Sequence, residues 1–139
     1  MTVTAVVGID PGSIKAGYAL IEASGEVVEA GIQPVERLKA TLAELLARRP
    51  VSAIALGRGT NARGVRAQLE GLGAPIHLVD EYETTRWARQ LYFADHPPRG
   101  LRRLIPLGLQ MPSRPIDDYA AILIARRFLA REVKAGPPS

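Results

Sequence analysis

Three groups of acidic residues stand where apolar stretches of the sequence end or begin. Asp10 ends the run VVGI, Asp80 and Glu81 end PIHLV, and Asp117 and Asp118 precede YAAILIA. A carboxylate at the edge of a core is costly unless it has a partner. Clustered carboxylates also repel one another unless a cation lies between them. The pattern therefore indicates a site for a hard divalent metal ion with oxygen ligands.

The chemistry of such a site follows from the residue types that are present. The chain has no cysteine and only two histidines, so a thiolate site is excluded and Mg²⁺ or Mn²⁺ is the natural choice. Two such ions about 3.5 to 4 Å apart can activate a water and stabilise the departing oxygen of a phosphodiester. We predict a nuclease site in which Asp10 bridges two ions, while Glu81 and either Asp117 or Asp118 complete the ligand shells.

Each acidic group also has a purely structural interpretation. Asp117 or Asp118 could cap the last helix or interact with its positive N-terminal end. Asp80 and Asp10 could be turn residues. These alternatives do not explain why all three groups fall at one predicted edge, since the carboxyl ends of strands in an open α/β sheet line a common crevice.

The elements that must position these acids follow from the hydrophobic pattern. Strands are predicted over 3–9, 17–22 and 26–32, followed by a helix between Pro34 and Pro50. The rest of the chain is predicted as a strand over 51–57, a helix within 60–73, a strand over 75–81, helices over 84–93 and 116–133, and a long loop between those two helices. Three meandering strands and then alternating helix and strand predict an α/β fold with a mixed sheet.

Length and composition narrow the class of protein. The 139 residues predict one domain over 1–133 and a flexible tail over 134–139. Charges interrupt every apolar run, and no basic leader with a long apolar core precedes the first strand, so we expect a cytoplasmic protein without a membrane partner. The net charge of +4 suits a polyanionic partner.

Basic and polar residues mark candidate contacts to nucleic acid. Arg99, Arg102 and Arg103 lie in the predicted long loop and are the best candidates for gripping a phosphate backbone. Arg58 and Asn61 follow the predicted central strand and are candidates for phosphate or sugar contacts. The alternatives are a solvated arginine-rich surface and ordinary loop polarity.

Several motifs resemble a known group of nucleases. The stretch GIDPGSIKAGY resembles the first motif of RuvC-type Holliday junction resolvases. The stretches DEYETTRWAR and RPIDDYAAILIARRFL resemble the second and third motifs of the YqgF, or pre-16S rRNA nuclease, family. Both groups belong to the RNase H-like superfamily, so the resemblance implies an RNase H-like fold with a mixed five-stranded sheet flanked by helices.

The resemblance also implies roles for individual residues. Asp10, Glu81 and an acid at the start of the last helix would bind the metal ions. Asp117 matches the YqgF pattern, whereas Asp118 fits the RuvC spacing better. Lys15 would contact phosphate, with an exposed strand lysine as the alternative. Gly17 would permit close approach within the first hairpin.

The expected function is therefore a metal-dependent nuclease acting on branched or single-stranded DNA or on structured RNA, either resolvase-like or rRNA-processing. One alternative is a non-catalytic nucleic-acid-binding domain. Another is an ATPase or sugar kinase of the actin-like superfamily, which GIDPGS also resembles, but one domain of this length cannot supply two lobes. Junction resolution needs two opposed cuts, so a homodimer is a further expectation.

Overall fold

The computed structural model of the protein describes residues 4–59, 61–80, 91–92, 94–95 and 117–135, with side chains described up to residue 131 in the last range. Over these ranges the elements are β1 (Ala5–Asp10), β2 (Lys15–Glu22), β3 (Val27–Pro34), α1 (Val35–Arg48), β4 (Ala53–Gly57), α2 (Ala62–Leu69), β5 (Ile76–Val79) and α3 (Asp117–Ala135).

The five strands form one mixed sheet in the order β3-β2-β1-β4-β5. The β1–β2 and β2–β3 pairs are antiparallel, as expected of a meander, whereas β4 and β5 continue the sheet parallel to β1. The predicted mixed five-stranded sheet is confirmed. The central position of β1 means that Asp10 ends the middle strand of the sheet.

Side-chain alternation along the strands divides the core into two layers. One layer contains Val7 and Ile9 of β1 together with a helical stripe of α1, formed by Leu38, Leu42 and Leu45. The other layer contains Val6 of β1, Ala19 and Ile21 of β2, and the apolar face of α3. A fully buried side chain of this size contributes about 1.5–3 kcal/mol, so both layers fix helices on the sheet.

Two glycines allow α3 to lie directly on the middle of the sheet. A Cβ atom on Gly8 of β1 would collide with the Ala121 carbonyl oxygen and lie 2.8 Å from the Ala125 Cβ. A Cβ atom on Gly17 of β2 would collide with the Asp117 carbonyl oxygen. The close approach at Gly17 is therefore made by α3, and not within the hairpin as the sequence led us to expect.

The bounds of two helices differ from the sequence-based expectation. Helix α2 ends at Leu69, because Glu70 is already extended with ψ 141° and Gly71 follows with a φ of +93°. Helix α3 runs to Ala135, past the expected end at residue 133. The predicted helix over 84–93 and the predicted long loop fall largely outside the described residues. Among the helices that are described, none is long and apolar enough to cross a membrane.

Candidate metal and nucleic-acid site

Three parallel strands bring their carboxyl ends to one edge of the sheet. Asp10 ends β1, Arg58 follows β4, and Asp80 follows β5. The edge is held together by main-chain bonds: the Arg58 amide donates to the Val79 carbonyl oxygen at 3.0 Å. This is the edge at which open α/β sheets bind ligands.

Asp10 lies beside the first turn of α3. It pairs with Gly17 across the β1–β2 ladder, and Gly17 is in turn covered by the Asp117 main chain. Val6 and Gly8 face the α3 layer, so the two-residue period of the strand puts Asp10 on that same face. The fold therefore puts the first turn of α3, with Asp117 and Asp118, beside the end of the strand that carries Asp10, and all three acids are half-buried.

The two acids of the first turn have different surroundings. One carboxylate oxygen of Asp118, Oδ1, accepts a hydrogen bond from the Tyr119 amide at 3.0 Å and so helps to satisfy the helix N-terminus. Within the described part of the chain, the Asp117 carboxylate has no hydrogen bond or ion pair. Asp117 is therefore the better placed of the two to coordinate a cation.

Tyr119 fixes the orientation of this first turn. Its side chain is buried, its ring meets the Tyr92 ring edge-on with centroids 5.7 Å apart, and its hydroxyl donates to Asp95 Oδ2 at 3.1 Å. These contacts hold the start of α3 in the core layer that also contains Val6 of β1. The acids preceding Tyr119 thus belong to a packed turn and not to a frayed helix end.

Glu81, the third predicted ligand, lies outside the described residues, so its position relative to Asp10 stays a prediction. Asp80, the residue before Glu81, is hydrogen-bonded to α3: the Arg127 guanidinium donates to the Asp80 carbonyl oxygen at 2.6 Å. Within the described ranges, no group of three or more histidine, cysteine or acidic residues is placed to hold a metal ion. The described part of the predicted ligand set is Asp10, Asp117 and Asp118.

Lys15 belongs to the same face as these acids. It is the first residue of β2, two residues before Gly17, so alternation directs it to the α3 face, and its side chain is exposed. A cation at this position is suited to a phosphate that approaches Asp10. The contact itself stays a prediction.

Arg58 and Asn61 are placed differently from the acids. Arg58 lines a groove with residues of α2 and β5. Asn61 is in the left-handed conformation with φ 64°, and its Nδ2 donates to the Gly12 carbonyl oxygen at 3.1 Å. Asn61 thus joins the loop after β4 to the loop after Asp10. Its contact to nucleic acid stays a prediction.

Arg99, Arg102 and Arg103, the predicted backbone grip, lie outside the described residues. The sequence-based prediction also omitted three arginines that the structure places near the edge: Arg63, Arg66 and Arg127. For Arg63 and Arg66 a signal was available, since residues three apart on a predicted helix share a face. No local pattern could have indicated that Arg127 reaches Asp80.

Two solved structures share this fold. Over 92% of this chain and 95% of the other, the protein is similar to Thermus thermophilus RuvC in complex with a Holliday junction substrate, with 21% sequence identity and a TM-score of 0.54. A second Thermus thermophilus RuvC structure gives 19% identity, 92% and 96% coverage, and a TM-score of 0.53. No protein-family model and no curated protein matches the sequence. The RNase H-like fold is thereby confirmed, and so is the resemblance to RuvC at the level of the fold.

Proposed function

We propose that this protein is a divalent-metal-dependent nuclease that hydrolyses phosphodiester bonds in structured nucleic acid. The observation that carries the proposal is the close contact of Gly17 with Asp117, which brings the first turn of α3 beside Asp10 at the carboxyl end of the central strand. The shared fold with a RuvC that was solved with a junction substrate supports a nucleic acid as the partner.

The donor set fits a hard cation. Asp10 and Asp117 would supply carboxylate oxygens from two half-buried positions on neighbouring elements. When bound there, Mg²⁺ or Mn²⁺ activates a water as nucleophile and offsets the charge on the departing oxygen. In this proposal Asp10, Asp117 and Glu81 would hold the ions.

The chain's other residues bind and orient the substrate in this proposal. Lys15 contacts a phosphate next to the scissile bond, because it lies exposed on the same face as Asp10. Arg99, Arg102 and Arg103 supply further phosphate contacts. Orientation matters as much as charge, since an in-line attack requires the scissile phosphate to be held in one position.

Cleavage of a substrate panel tests the proposal. The panel contains a four-way DNA junction, single-stranded DNA and structured RNA, each with Mg²⁺, with Mn²⁺ and with chelator. Asp10→Asn is compared with the matched control Glu44→Gln, which removes one carboxylate charge from the exposed face of α1. We expect metal-dependent cutting by wild type and by the control and none by Asp10→Asn.

Two other results would count against the proposal. Cutting by Asp10→Asn at the wild-type rate would remove Asp10 from the site. Binding of nucleic acid without cutting under any of the metal conditions would favour the alternative, a non-catalytic nucleic-acid-binding domain with the same fold. The substrate that is cut decides between junction resolution and RNA processing, and resolution would further require a homodimer that makes two opposed cuts.

A further inference from the structure

A groove with a volume of about 440 Å³ lies between α2 and the edge strand β5. Its lining consists of Arg58, Gly59, Ala62, Arg63, Arg66 and Leu78. Three of these six residues are arginines, and all three are exposed. The groove opens at the carboxyl edge of the sheet, where Arg58 follows β4.

The main chain that carries the three arginines is fixed by the packing of α2 and by a hydrogen bond after β4. Val65 and Leu69 are buried and fix the orientation of the helix on the sheet. Arg63 and Arg66 lie three residues apart and therefore on a common flank. Arg58 is anchored through its main chain, whose amide donates to the Val79 carbonyl oxygen. The main-chain positions of the three arginines are thus fixed, although their side chains reach into solvent.

The three positive charges have no carboxylate partners in the described part of the chain. The ion pairs found there are Arg48 with Glu29 and Arg49 with Glu22, on another part of the molecule. Like charges that converge on one groove repel one another unless an anion joins them. A guanidinium group presents a planar fork of donors that matches the oxygens of a phosphate.

The groove lies on the opposite face of the sheet from the candidate metal site. Leu78 packs with the α1 and α2 layer, whereas Asp10 faces α3. The hydrogen bond from Asn61 to the Gly12 carbonyl oxygen joins the loop that leads to the groove with the loop that follows Asp10. One nucleic-acid segment cannot pass over Asp10 and at the same time fill this groove without turning around the edge of the sheet.

We propose that Arg58, Arg63 and Arg66 bind the phosphate backbone of a second nucleic-acid segment, remote from the bond that is cut. The identity of the ligand as nucleic acid rests on the proposed function. The groove offers guanidinium forks that match phosphate oxygens and an apolar floor of Ala62 and Leu78. Contacts of this kind to phosphate carry no information on base sequence.

Binding measured without metal tests this inference separately from cleavage. We compare Arg63→Gln/Arg66→Gln with Arg37→Gln/Lys39→Gln, a control that removes the same charge from exposed positions of α1. The dissociation constant of a labelled four-way DNA junction is measured by fluorescence anisotropy over a salt series in chelator. Each phosphate contact contributes about 0.9 to the slope of log K against log salt, so the groove variant should lose about 2 from that slope. The control should keep the wild-type slope.

The outcomes separate the two proposals. If both double variants keep the wild-type slope, or if wild type does not bind the junction at low salt, the groove inference is overturned. A change in oligomeric state of the groove variant with an unchanged slope also overturns it and marks the surface as an interface between copies. If the groove variant loses slope while wild type cuts nothing, the nuclease proposal fails and the groove inference stands.

Discussion

At the scale of single residues, the neighbouring acids Asp117 and Asp118 have identical side chains but different hydrogen bonds. One carboxylate oxygen of Asp118 accepts a hydrogen bond from the Tyr119 amide, which is one of the amides that a helix start leaves without a partner in the helix. Asp117 has no such bond among the described residues. The sequence left the choice of ligand open because both acids lie in the first turn, and the hydrogen bond is what favours Asp117.

Substitutions at these two acids should have different consequences. Asp117→Asn should reduce metal-dependent cleavage more than about 100-fold, since even residues that support metal ligands are worth 10- to 100-fold. Asp118→Ala should lower the free energy of unfolding by about 1 kcal/mol, because the Tyr119 amide loses its acceptor. Cleavage rates and urea unfolding of both variants check this. Equal losses of activity, with no loss of stability in Asp118→Ala, would contradict the division of roles.

Tyr18 gives a pH-dependent prediction at the same scale. Burial, followed by the negative charge of Glu29, raises the pKa of the Tyr18 hydroxyl above its ordinary value of 10.0. Folding therefore favours the protonated phenol, so the stabilisation is fully present below pH 10 and is lost as the pH rises through the folded-state pKa. The unfolding free energy of wild type should fall relative to Tyr18→Phe over that alkaline range. A difference between the two that does not change with pH would refute the assignment.

At the scale of elements, the position of α3 puts its first turn beside the end of β1. The strand and helix periods in the sequence predicted the elements that are described, and the meander followed by alternation predicted the mixed sheet. The partner of Gly17 could not be predicted, because a spacing of residues gives the period of one element and not the element that covers it. The contact with Asp117 is a long-range consequence of packing.

Gly17→Ala tests the importance of that contact. The added methyl group would collide with the Asp117 carbonyl oxygen, so α3 must shift, and overpacking of this kind costs about 1–3 kcal/mol. Gly25→Ala is the control, since it lies in the β2–β3 turn with open space around it and is strained only by its φ of +93°. Unfolding and metal-dependent cleavage are measured for both. Gly17→Ala should lose cleavage even where it remains folded, and retention of full activity would contradict the account.

The same limitation applies to Arg58. The end of a strand predicts proximity to the carboxyl edge of the sheet but not the face on which a loop side chain lies. The structure puts Arg58 with Arg63 and Arg66 in the α2 groove, away from Asp10. The sequence therefore predicted the edge of the sheet at which Arg58 lies, but not that it lies with Arg63 and Arg66.

At the scale of the whole molecule, the charge of +4 is unevenly distributed. Asp10, Asp117 and Asp118 lie at the ends of elements on the α3 face, whereas three arginines line the α2 groove. Three further arginines fall between residues 99 and 103 of the sequence. A net positive charge suits a polyanionic partner.

Replacing Arg99, Arg102 and Arg103 together with Gln should weaken nucleic-acid binding and flatten its salt dependence by up to about 3 in the log–log slope. Binding of Mn²⁺ should not change, because none of the three belongs to the acidic ligand set. Anisotropy over a salt series and a metal titration check both statements. A wild-type salt slope in this variant would mean that another surface of the protein contacts the nucleic-acid phosphates.

The central claim is that Asp10 and the first turn of α3 together form a cation site. The most direct measurement is Mn²⁺ binding, followed through the electron paramagnetic resonance signal of the free ion, with wild type, Asp10→Asn/Asp117→Asn and Glu44→Gln. Wild type and Glu44→Gln should bind Mn²⁺ equally, and the double variant should bind at least about ten-fold more weakly. Equal Mn²⁺ binding by all three proteins would contradict the account.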